Sequence, residues 1–332
     1  MKSLIKKLVE TTGPSGYESG IRKLVQAEVE PLADELHVDA MGNLIAIKGK
    51  ANAQAPKVML AAHLDEIGVI ATHIDENGFV RFSTIGGVRR QTSTGGRVRF
   101  LNGVVGVIGH EDPYAWTKLP TIEQMFIDVG ARSRADCPVR VGDVAGFERN
   151  YEEFGDRLVA KSMDDRIGVA VLIETLRQLK KTPNQVYFVF SVQEEVGVRG
   201  ATAAAYGIDP DLGLAVDVTA TGDTPKGLKM EVSLGKGPAI KVRDHGMLAD
   251  PRVIAWMVNA AEKAGLPYQM EILELGGTDA RAIQLTRAGV PAGCLSIPCR
   301  YVHAPSEMVD FQDVKNAVQL LLALLRKPAE LS

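Results

Sequence analysis

Apolar and polar positions along the chain follow two patterns, one typical of helices and one typical of buried strands. Apolar residues recur every three or four positions in the segments that we predict as helices, at 4–8, 21–29, 166–181, 200–206, 251–264, 280–288 and from about residue 311 to the C-terminus. Mostly apolar runs predict strands at 44–47, 57–62, 186–190, 212–216 and 293–297, and a further strand is predicted at 269–273, between two helices. This alternation of helices with buried strands predicts an α/β fold.

The pattern changes between residues 68 and 155, where short β-like runs are separated by turn signals. The Asn-Gly pairs at 77–78 and 102–103 are typical of β-hairpin turns. This stretch contains no long amphipathic helical stripe. We therefore predict one α/β domain made of residues 1–67 and 156–332, interrupted by a small β-rich domain at residues 68–155.

The composition is typical of a globular protein that works in solution. Of the 332 residues, 45% are hydrophobic and 24% are charged, and the net charge of -3 lacks the basic excess of a general nucleic-acid binder. No run approaches the ~20 apolar residues that span a bilayer. The N-terminal MKSLIKKLVETTG lacks a continuous apolar core, so we predict a helix there rather than a signal peptide. The three cysteines need no disulfide, and a cytoplasmic location is expected.

Acidic and histidine residues follow the ends of the predicted strands. Because ligands of open α/β sheets bind beyond the carboxyl ends of the strands, these positions are candidate functional residues. They are His63 and Asp65 after 57–62, Glu194 and Glu195 after 186–190, Asp217 after 212–216, and His303 after 293–297. Asp164 and Asp165 precede the helix predicted at 166–181, where either could also serve as its N-cap. Each position taken alone also fits an ordinary solvated polar residue.

The adjacent Glu194 and Glu195 pose a particular question, because like charges repel and these follow the apolar run VYFVF. A strong positive charge nearby would answer it. Two imidazoles and several carboxylates form a donor set that suits Zn²⁺, Co²⁺ or Mn²⁺ better than Ca²⁺ or Mg²⁺. The set is larger than one zinc ion requires, whereas two ions that share a carboxylate would use all of it. We therefore predict two divalent metal ions per chain.

Five segments of the chain match, in order, the motifs of a known family. They are AHLDEIG at 62–68, MDDRIG at 163–168, QEEVG at 193–197, VD at 216–217 and YVHAPSE at 301–307. With these motifs the chain resembles the glutamyl-aminopeptidase and tetrahedral (TET) aminopeptidase family of dinuclear metallo-aminopeptidases. The resemblance begins at the GPSGYE segment and extends to the C-terminal helix, which is essentially the whole chain.

The resemblance implies five metal ligands. One ion would be held by His63 and Asp217, and the second by Glu195 and His303. Asp164 would bridge both ions. These assignments come from matching each family motif to the corresponding positions of this sequence. The histidines and carboxylates at the strand ends are thus expected to form one dinuclear centre.

The resemblance also separates the roles of the remaining acids. The alignment of the family's Asp-Asp pair favours Asp164 over Asp165 as the bridging ligand. Glu194 would act as the general acid/base, close to the reacting water without binding a metal ion. Asp65 would orient the imidazole of His63. The adjacent Glu194 and Glu195 would therefore have different functions.

The fold and assembly of the family give further expectations. Its members have a zinc-exopeptidase-like α/β domain, in which helices flank a mixed sheet, with an inserted small β domain that is PDZ-like. This organisation agrees with the domain division predicted above. In relatives the inserted domain usually mediates dimerisation, and the dimers commonly form a hollow tetrahedral dodecamer. The resemblance therefore implies a homo-oligomer built from dimers.

We expect a metal-dependent aminopeptidase that releases N-terminal residues from peptides with a free N-terminus. One alternative is another metal-dependent amide hydrolase on the same scaffold, such as a deacylase or a carboxypeptidase. A second is a non-catalytic assembly protein, although such proteins typically lose ligands and every ligand position is filled here. An endoglucanase would need two carboxylates flanking a sugar bond, which acids interleaved with histidines do not match. The pocket for the N-terminal residue of the substrate is expected near residues 276–279.

Overall fold

A computed structural model describes residues 1–50, 55–112, 114 and 119–331. Within these residues the helices are α1 (Lys2–Glu10), α2 (Ser19–Val29), α3 (Arg90–Ser93), α4 (Met163–Gln178), α5 (Arg199–Ile208), α6 (Pro251–Ala264), α7 (Asp279–Gln284) and α8 (Phe311–Leu325). The strands are β1 (Glu35–Val38), β2 (Leu44–Lys48), β3 (Lys57–His63), β4 (Gly68–Ile74), β5 (Val80–Ile85), β6 (Arg97–Phe100), β7 (Val105–His110), β8 (Met125–Asp128), β9 (Val144–Phe147), β10 (Glu152–Phe154), β11 (Arg157–Ala160), β12 (Gln185–Ser191), β13 (Leu212–Thr219), β14 (Ala239–Arg243), β15 (Gln269–Ile272), β16 (Ala292–Arg300) and β17 (Glu307–Asp310).

One large mixed sheet forms the centre of the molecule. In the described part of the chain its order is β1-β2-β12-β3-β13-β16-β17-β11-β10, and β14 pairs with β16 and with β15. Strands β12, β3, β13 and β16 are parallel, whereas β2, β17 and β14 run antiparallel to their neighbours among them. The arrangement confirms the predicted α/β fold with a mixed sheet that helices flank.

Helices cover both faces of the central strands, which explains why the sequences of these strands are apolar without alternation. Every residue of β13 is buried. Val58 and Leu60 of β3 pack into the core cluster that includes residues of α4 and α8. Met59 and Ala61 point to the opposite face, into the cluster that includes residues of α5 and α7. Each central strand is therefore buried on both faces.

The carboxyl ends of the parallel strands lie along the same edge of the sheet. In the register of β12 and β3, Ser191 lies opposite His63. In the register of β13 and β16, Asp217 lies opposite Ser296. Residues that directly follow these strands are therefore brought together at this edge, where the strand-end rule predicts functional groups.

The segment from β4 to β9 forms a closed barrel with the strand order β4-β5-β8-β7-β6-β9 among the described residues. The Asn-Gly hairpins predicted at 77–78 and 102–103 are confirmed, because they join the antiparallel pairs β4–β5 and β6–β7. Gly78 and Gly103 have φ angles of 89° and 91°, which glycine adopts without a steric penalty. Apolar side chains that fill the barrel include Val80, Phe82, Val98, Phe100 and Ile127.

Some element boundaries differ from the sequence prediction. Helix α7 ends at Gln284 rather than at residue 288, because the chain turns there and the N–H of Val290 donates to the carbonyl of Gln284. Strands β1 and β14 are not predicted, and the mostly exposed β1 has no continuous apolar run. Strand β10 pairs with β11 at one end of the large sheet. Over the described ranges, none of the helices is both long enough and apolar enough to traverse a bilayer.

Candidate metal centre

The five predicted metal ligands converge at the carboxyl edge of the large sheet. His63 ends β3, Asp217 lies in the last part of β13, and Glu195 follows β12. Asp164 lies in the first turn of α4, and His303 lies in the loop after β16. One possible ligand atom from each of His63, Asp164 and Asp217 lies within 4.8 Å of the others. The same holds for Asp164, Glu195 and His303, so Asp164 belongs to both ligand groups.

The two carboxylate oxygens of Asp164 face different imidazoles. Oδ1 lies 3.0 Å from Nε2 of His63, and Oδ2 lies 3.2 Å from Nε2 of His303. The same nitrogen of His303 lies 3.2 Å from Oε2 of Glu195. A carboxylate that presents one oxygen to each ligand group would be able to bind two metal ions at once.

Asp165 is engaged differently, although it is next to Asp164 in sequence. Its Oδ2 accepts a hydrogen bond from the backbone N–H of His63 at 3.2 Å, and its Oδ1 accepts one from Gly168 at 3.0 Å. Both aspartates have non-helical backbone angles within the first turn of α4. Because both oxygens of Asp165 already accept backbone hydrogen bonds, the geometry favours Asp164 as the shared ligand.

Asp65 ties the end of β3 to the loop after β12. Its carboxylate accepts hydrogen bonds from the backbone N–H groups of Glu194 at 3.0 Å and Glu195 at 3.1 Å, and from the hydroxyl of Ser15 at 2.6 Å. Nδ1 of His63 lies 3.1 Å from the carbonyl oxygen of Asp65 and 3.4 Å from its Oδ1. A partner on Nδ1 leaves Nε2 free to act as a ligand. Asp65 is therefore placed to orient His63 and to position both glutamates.

The two adjacent glutamates occupy different positions in the centre. Glu195 belongs to a ligand group, whereas Glu194 lies outside both groups, with its Oε2 3.9 Å from Nε2 of His63. Gln193, the residue before them, has a left-handed φ of 55°, which is uncommon for a residue with a side chain. Such backbone angles cluster at functional sites because the surrounding structure must enforce them. The turn at Gln193 thus directs one carboxylate to a ligand position and the other to a place beside it.

The centre concentrates buried carboxylates whose ion-pair partners among the described residues are histidines. Burial and the Asp164 carboxylate together raise the pKa of Asp217 to about 8. Burial opposes protonation of His303, but the hydrogen-bonded carboxylates of Asp164 and Glu195 raise its pKa to about 11. Without metal ions these groups therefore hold protons that divalent cations would displace.

Glu195 supplies a direct test of whether a metal ion fits this centre. Its Oε2 faces His303, whereas its Oε1 is buried and has no hydrogen-bond partner among the described residues. A buried carboxylate oxygen without a partner carries a desolvation cost that a cation would offset. The mixture of imidazole nitrogen and carboxylate oxygen also suits Zn²⁺, Co²⁺ or Mn²⁺. The residues present therefore fit a metal site.

Glu307 joins two ligands and is not assigned a role by the sequence analysis. Its Oε2 accepts a hydrogen bond from the backbone N–H of Asp164 at 2.9 Å, and its Oε1 accepts one from His303 at 2.7 Å. Burial and the Asp164 carboxylate raise the pKa of Glu307 to about 8. The signal that could have identified it is its place in the YVHAPSE motif, four residues after His303.

A loop of the barrel packs directly against the metal centre. A methyl group at Gly87 would lie 2.4 Å from Nδ1 of His303, and one at Gly86 would lie 3.1 Å from Cβ of Glu195. Heavy atoms cannot approach as closely as 2.4 Å without a shift, so position 87 accommodates only glycine in this arrangement. In sequence, Gly-Gly indicates only a turn. The structure adds that the inserted barrel forms part of the wall around two ligands.

A cavity of about 1190 Å³ opens on the metal centre. Leu228 and Leu275 contribute apolar surface to its wall, and residues 276–278 of the predicted substrate segment also line it. Asp279 of the same segment is buried, and it accepts a hydrogen bond from the hydroxyl of Ser191 at 2.5 Å. Large concave sites with apolar walls and convergent polar groups are typical of ligand-binding sites. The cavity can therefore receive a ligand at the metal centre.

Comparisons with known proteins identify relatives along almost the whole chain. A family model described as M42 glutamyl aminopeptidase matches residues 42–320. The lysyl aminopeptidase of Pyrococcus furiosus is 40% identical over 341 residues, which cover 98% of this chain and 96% of that protein. Among solved structures, the aminopeptidase APDkam598 from the archaeon Desulfurococcus kamchatkensis has a TM-score of 0.94 at 42% identity, with 98% of this chain and 94% of that chain covered. The TET1 peptidase of Pyrococcus horikoshii, described as able to assemble into a tetrahedron or a large octahedral shell, has a TM-score of 0.88 at 32% identity, with 98% of each chain covered.

Proposed function

Because the chain belongs to the M42 glutamyl aminopeptidase family, we propose that it hydrolyses the N-terminal peptide bond of its substrates at the metal centre described above. The protein is an aminopeptidase, and thus an exopeptidase of the hydrolase class. The observation that carries the proposal is Asp164, whose two oxygens face two ligand groups that each contain a histidine. A carboxylate shared in this way supports a dinuclear centre.

In this proposal His63 and Asp217 hold one divalent ion, Glu195 and His303 hold a second, and Asp164 binds both. Zn²⁺ and Co²⁺ suit this donor set best, and Mn²⁺ is a further candidate. When bound, two such ions lower the pKa of a water molecule and polarise the scissile carbonyl group. The unpartnered oxygen of Glu195 supports this assignment, because it offers a further donor atom inside the centre.

Glu194 acts as the general acid/base. Its carboxylate takes a proton from the water that attacks the peptide carbonyl and delivers it to the nitrogen of the departing amine. Its position 3.9 Å from Nε2 of His63, outside both ligand groups, supports this role. The carboxylate of Asp65 accepts a hydrogen bond from the backbone N–H of Glu194 at 3.0 Å, which positions the backbone from which the Glu194 side chain extends. The acid/base and the ligands thus depend on the same buried carboxylate.

The centre favours substrates with a free N-terminus. Asp164, Glu194, Glu195 and Asp217 all contribute to the wall of the cavity. A free α-amino group would bind at the metal centre or at a nearby acid, whereas an acetylated nitrogen offers neither a lone pair for a metal ion nor a positive charge. Because a chain has only one free α-amino group, binding of that group restricts cleavage to the first peptide bond.

We further propose that the protein acts in the cytoplasm as a homo-oligomer built from dimers that assemble into a tetrahedral dodecamer. The support is the TET1 peptidase of Pyrococcus horikoshii, a relative that assembles into a tetrahedron or an octahedral shell. In this proposal residues 68–155 form a PDZ-like dimerisation domain, and the closed barrel is its core. Light scattering of the purified protein measures the assembly directly.

Hydrolysis of matched peptides with free and acetylated N-termini tests the proposed reaction. We expect release of the first residue from free peptides only, because the acetylated end loses its ammonium charge. Treatment with a chelator should abolish hydrolysis, and adding back Zn²⁺, Co²⁺ or Mn²⁺ should restore it. Release of acetate from the acetylated peptides would favour a deacylase, and release of residues from the C-terminus would favour a carboxypeptidase. A protein that neither binds metal ions nor cleaves peptides would favour a non-catalytic assembly role.

A further inference from the structure

Charges on the wall of the cavity are segregated by sign. All the acidic residues that line it among the described residues belong to the metal centre: Asp164, Glu194, Glu195 and Asp217. The other charged lining residues are all basic: Arg89, Lys241, Arg281 and Arg287. A concave site lined by one sign of charge attracts ligands of the opposite sign, because the low-dielectric walls concentrate the field. Away from the metal centre, the cavity therefore attracts anions.

Two of these four basic residues already have carboxylate partners. Nζ of Lys241 lies 2.7 Å from Oε1 of Glu271, in a pair that is almost completely buried. Nε of Arg287 lies 3.3 Å from Oδ1 of Asp209 and also donates to the carbonyl of Tyr206. Their charges are therefore largely compensated within the protein itself.

Arg89 and Arg281 have no such compensation. Both side chains are exposed, and neither forms an ion pair with any carboxylate in the part of the chain that the structure describes. Arg89 follows Gly87, whose backbone packs on His303, and it comes from the inserted barrel. Arg281 lies in α7, directly after the segment that lines the cavity at 276–278. Two uncompensated guanidinium groups from different parts of the fold thus meet the same cavity.

We propose that Arg89 and Arg281 form a binding site for a carboxylate group of the peptide substrate. This inference rests on the proposed function, because it assumes that a peptide enters with its α-ammonium group at the metal centre. The planar guanidinium group matches the two oxygens of a carboxylate, and it remains charged at every physiological pH. The metal centre then binds the N-terminal amine and the basic wall binds the carboxylate of the same molecule, which fixes the direction of the peptide in the cavity.

A substrate can supply this carboxylate from its C-terminus or from an acidic side chain. A short peptide with a free C-terminus carries an ammonium group and a carboxylate at opposite ends, which matches the segregated charges of the cavity. A glutamate or aspartate side chain presents the same chemical group. Substrates that differ only in these groups distinguish the two sources.

The test compares kcat/KM for the wild type and for Arg89→Gln, Arg281→Gln and the double variant. Except for one pair of anilides, all the substrates begin with the N-terminal residue that the wild type cleaves best. The reference is an aminoacyl p-nitroanilide without any carboxylate. A tripeptide with a free C-terminus is compared with its C-terminal amide, and peptide amides with glutamate in the second position are compared with those that have glutamine there. A further pair of anilides with N-terminal glutamate or glutamine tests the first side chain. We expect a loss of about threefold for each variant and about tenfold for the double variant on substrates with the recognised carboxylate, as for exposed ion pairs. The anilide without a carboxylate and the neutral amide should change less than about twofold.

Controls separate charge recognition from general damage. Arg140→Gln removes an exposed arginine of the barrel outside the cavity, and it should leave every substrate unaffected. Arg89→Lys and Arg281→Lys should keep most of the preference. Raising the salt concentration to 0.5 M should weaken the preference more in the wild type than in the double variant, because the screening length then falls to about half its value at 0.15 M. Equal losses on charged and neutral substrates, or no loss on any carboxylate, would overturn the inference. A wild type that cleaves no anilide would instead overturn the proposed function and this inference with it.

Discussion

The molecule buries carboxylates in two neighbouring places and neutralises them in different ways. Glu66 is 1% exposed, and its carboxylate lies 2.5 Å from Nζ of Lys161 and 3.9 Å from Nη2 of Arg166. At the metal centre, Asp164 and Glu195 have only histidines as ion-pair partners among the described residues. The chain thus supplies lysine and arginine to one cluster and only histidines, whose ring nitrogens can also bind metal ions, to the other.

The pKa values follow this difference. Burial by itself raises the pKa of Glu66, but the charges of Lys161 and Arg166 outweigh burial and lower that pKa. Burial also raises the pKa of Glu195, where the hydrogen bond with His303 opposes the rise and the Asp164 carboxylate adds to it. A buried carboxylate that is paired with lysine or arginine of the same chain needs no further cation, whereas a buried carboxylate without such a partner is stabilised by a bound cation. The comparison therefore distinguishes a structural cluster from a functional one.

The cluster around Glu66 fixes the frame on which the metal centre is built. Arg166 is fully buried in α4, and its Nε donates to the carbonyl of Leu64 at 2.6 Å. Its Nη1 donates to the carbonyls of Leu8 at 2.6 Å and Thr11 at 2.9 Å. These bonds connect α4 with the end of α1 and with the residue after β3. The position of the aspartates at the start of α4 therefore depends on charges that lie outside the centre.

The largest effect is expected from Glu194→Gln, which removes the proposed acid/base from the functional cluster and leaves its ligands intact. An amide cannot accept the proton of the attacking water, so we expect kcat to fall about 10³-fold, as for other general acid/base groups. Metal content measured by elemental analysis should remain at the wild-type level, because Glu194 lies outside both ligand groups. Glu111→Gln on the barrel surface, where the side chain is 50% exposed, should keep the normal rate. Near-normal turnover of Glu194→Gln would contradict the role, and loss of metal would make Glu194 a ligand.

The next effect is a loss of stability in Glu66→Gln, which removes the acid from the structural cluster. Lys161 would be left buried without its carboxylate partner, a change that typically costs about 3 kcal/mol in the free energy of unfolding. Because both cations belong to the chain, the loss should be the same in metal-loaded and chelator-treated protein. Denaturant-induced unfolding of both forms measures it.

The pH dependence of that loss has a definite sign. The pKa of Glu66 is lower in the folded protein than its ordinary value, so the carboxylate stabilises the fold above the unfolded pKa of about 4.3. This contribution is lost as the pH falls through the folded pKa, and the difference from wild type should then shrink. Glu111→Gln removes a half-exposed partner of Arg81 and should cost less than about 1 kcal/mol. An equal cost for both variants, or a cost that depends on metal, would contradict the assignment of Glu66 to a structural cluster.

Much of the α/β fold could be predicted because local apolar patterns in the sequence mark its strands and helices. The run at 186–190 is continuously apolar because helices cover both faces of β12, and α6 begins and ends where its sequence predicts. Strand β1 could not be predicted, because it is an exposed strand with no apolar run and forms by pairing with β2. The closure of the barrel likewise depends on pairings between distant strands, such as β4 with β9, that no local pattern specifies.

The candidate site shows the same division between local and distant signals. The strand-end rule and the family motifs select His63, Asp217 and the two glutamates. In the structure His63 and Asp217 belong to one ligand group, Glu195 belongs to the other, and Glu194 lies 3.9 Å from His63. Neither signal shows which residues neutralise Glu66, because Lys161 lies far from it in sequence. Neither signal predicts the contact between Gly87 and His303, because it joins the barrel to a loop more than two hundred residues further along the chain.

The smallest effect is expected from Gly87→Ala, which tests how packing from the barrel holds one predicted ligand, His303, in the functional cluster. The new methyl group would lie 2.4 Å from Nδ1 and 2.7 Å from Cε1 of His303, so the imidazole must move. His303 would then leave its positions 3.2 Å from Asp164 and 3.2 Å from Glu195. We expect the affinity for one of the two metal ions to fall about tenfold, as when a neighbour that orients a ligand is changed.

Metal titration by calorimetry distinguishes a loss of affinity for one metal ion from a general loss of structure. Gly277→Ala is the matched control, because Gly277 also lines the cavity but a methyl group there meets no atom within 4 Å. The affinity of the ion assigned to His63 and Asp217 should change little, since neither residue contacts position 87 in the described structure. Equal weakening of both ions, or the same loss in Gly277→Ala, would mean that the barrel loop does not support His303 specifically. Weaker binding of one ion only would show that packing from the barrel holds His303 in place, whereas lysine and arginine hold the carboxylate of the structural cluster.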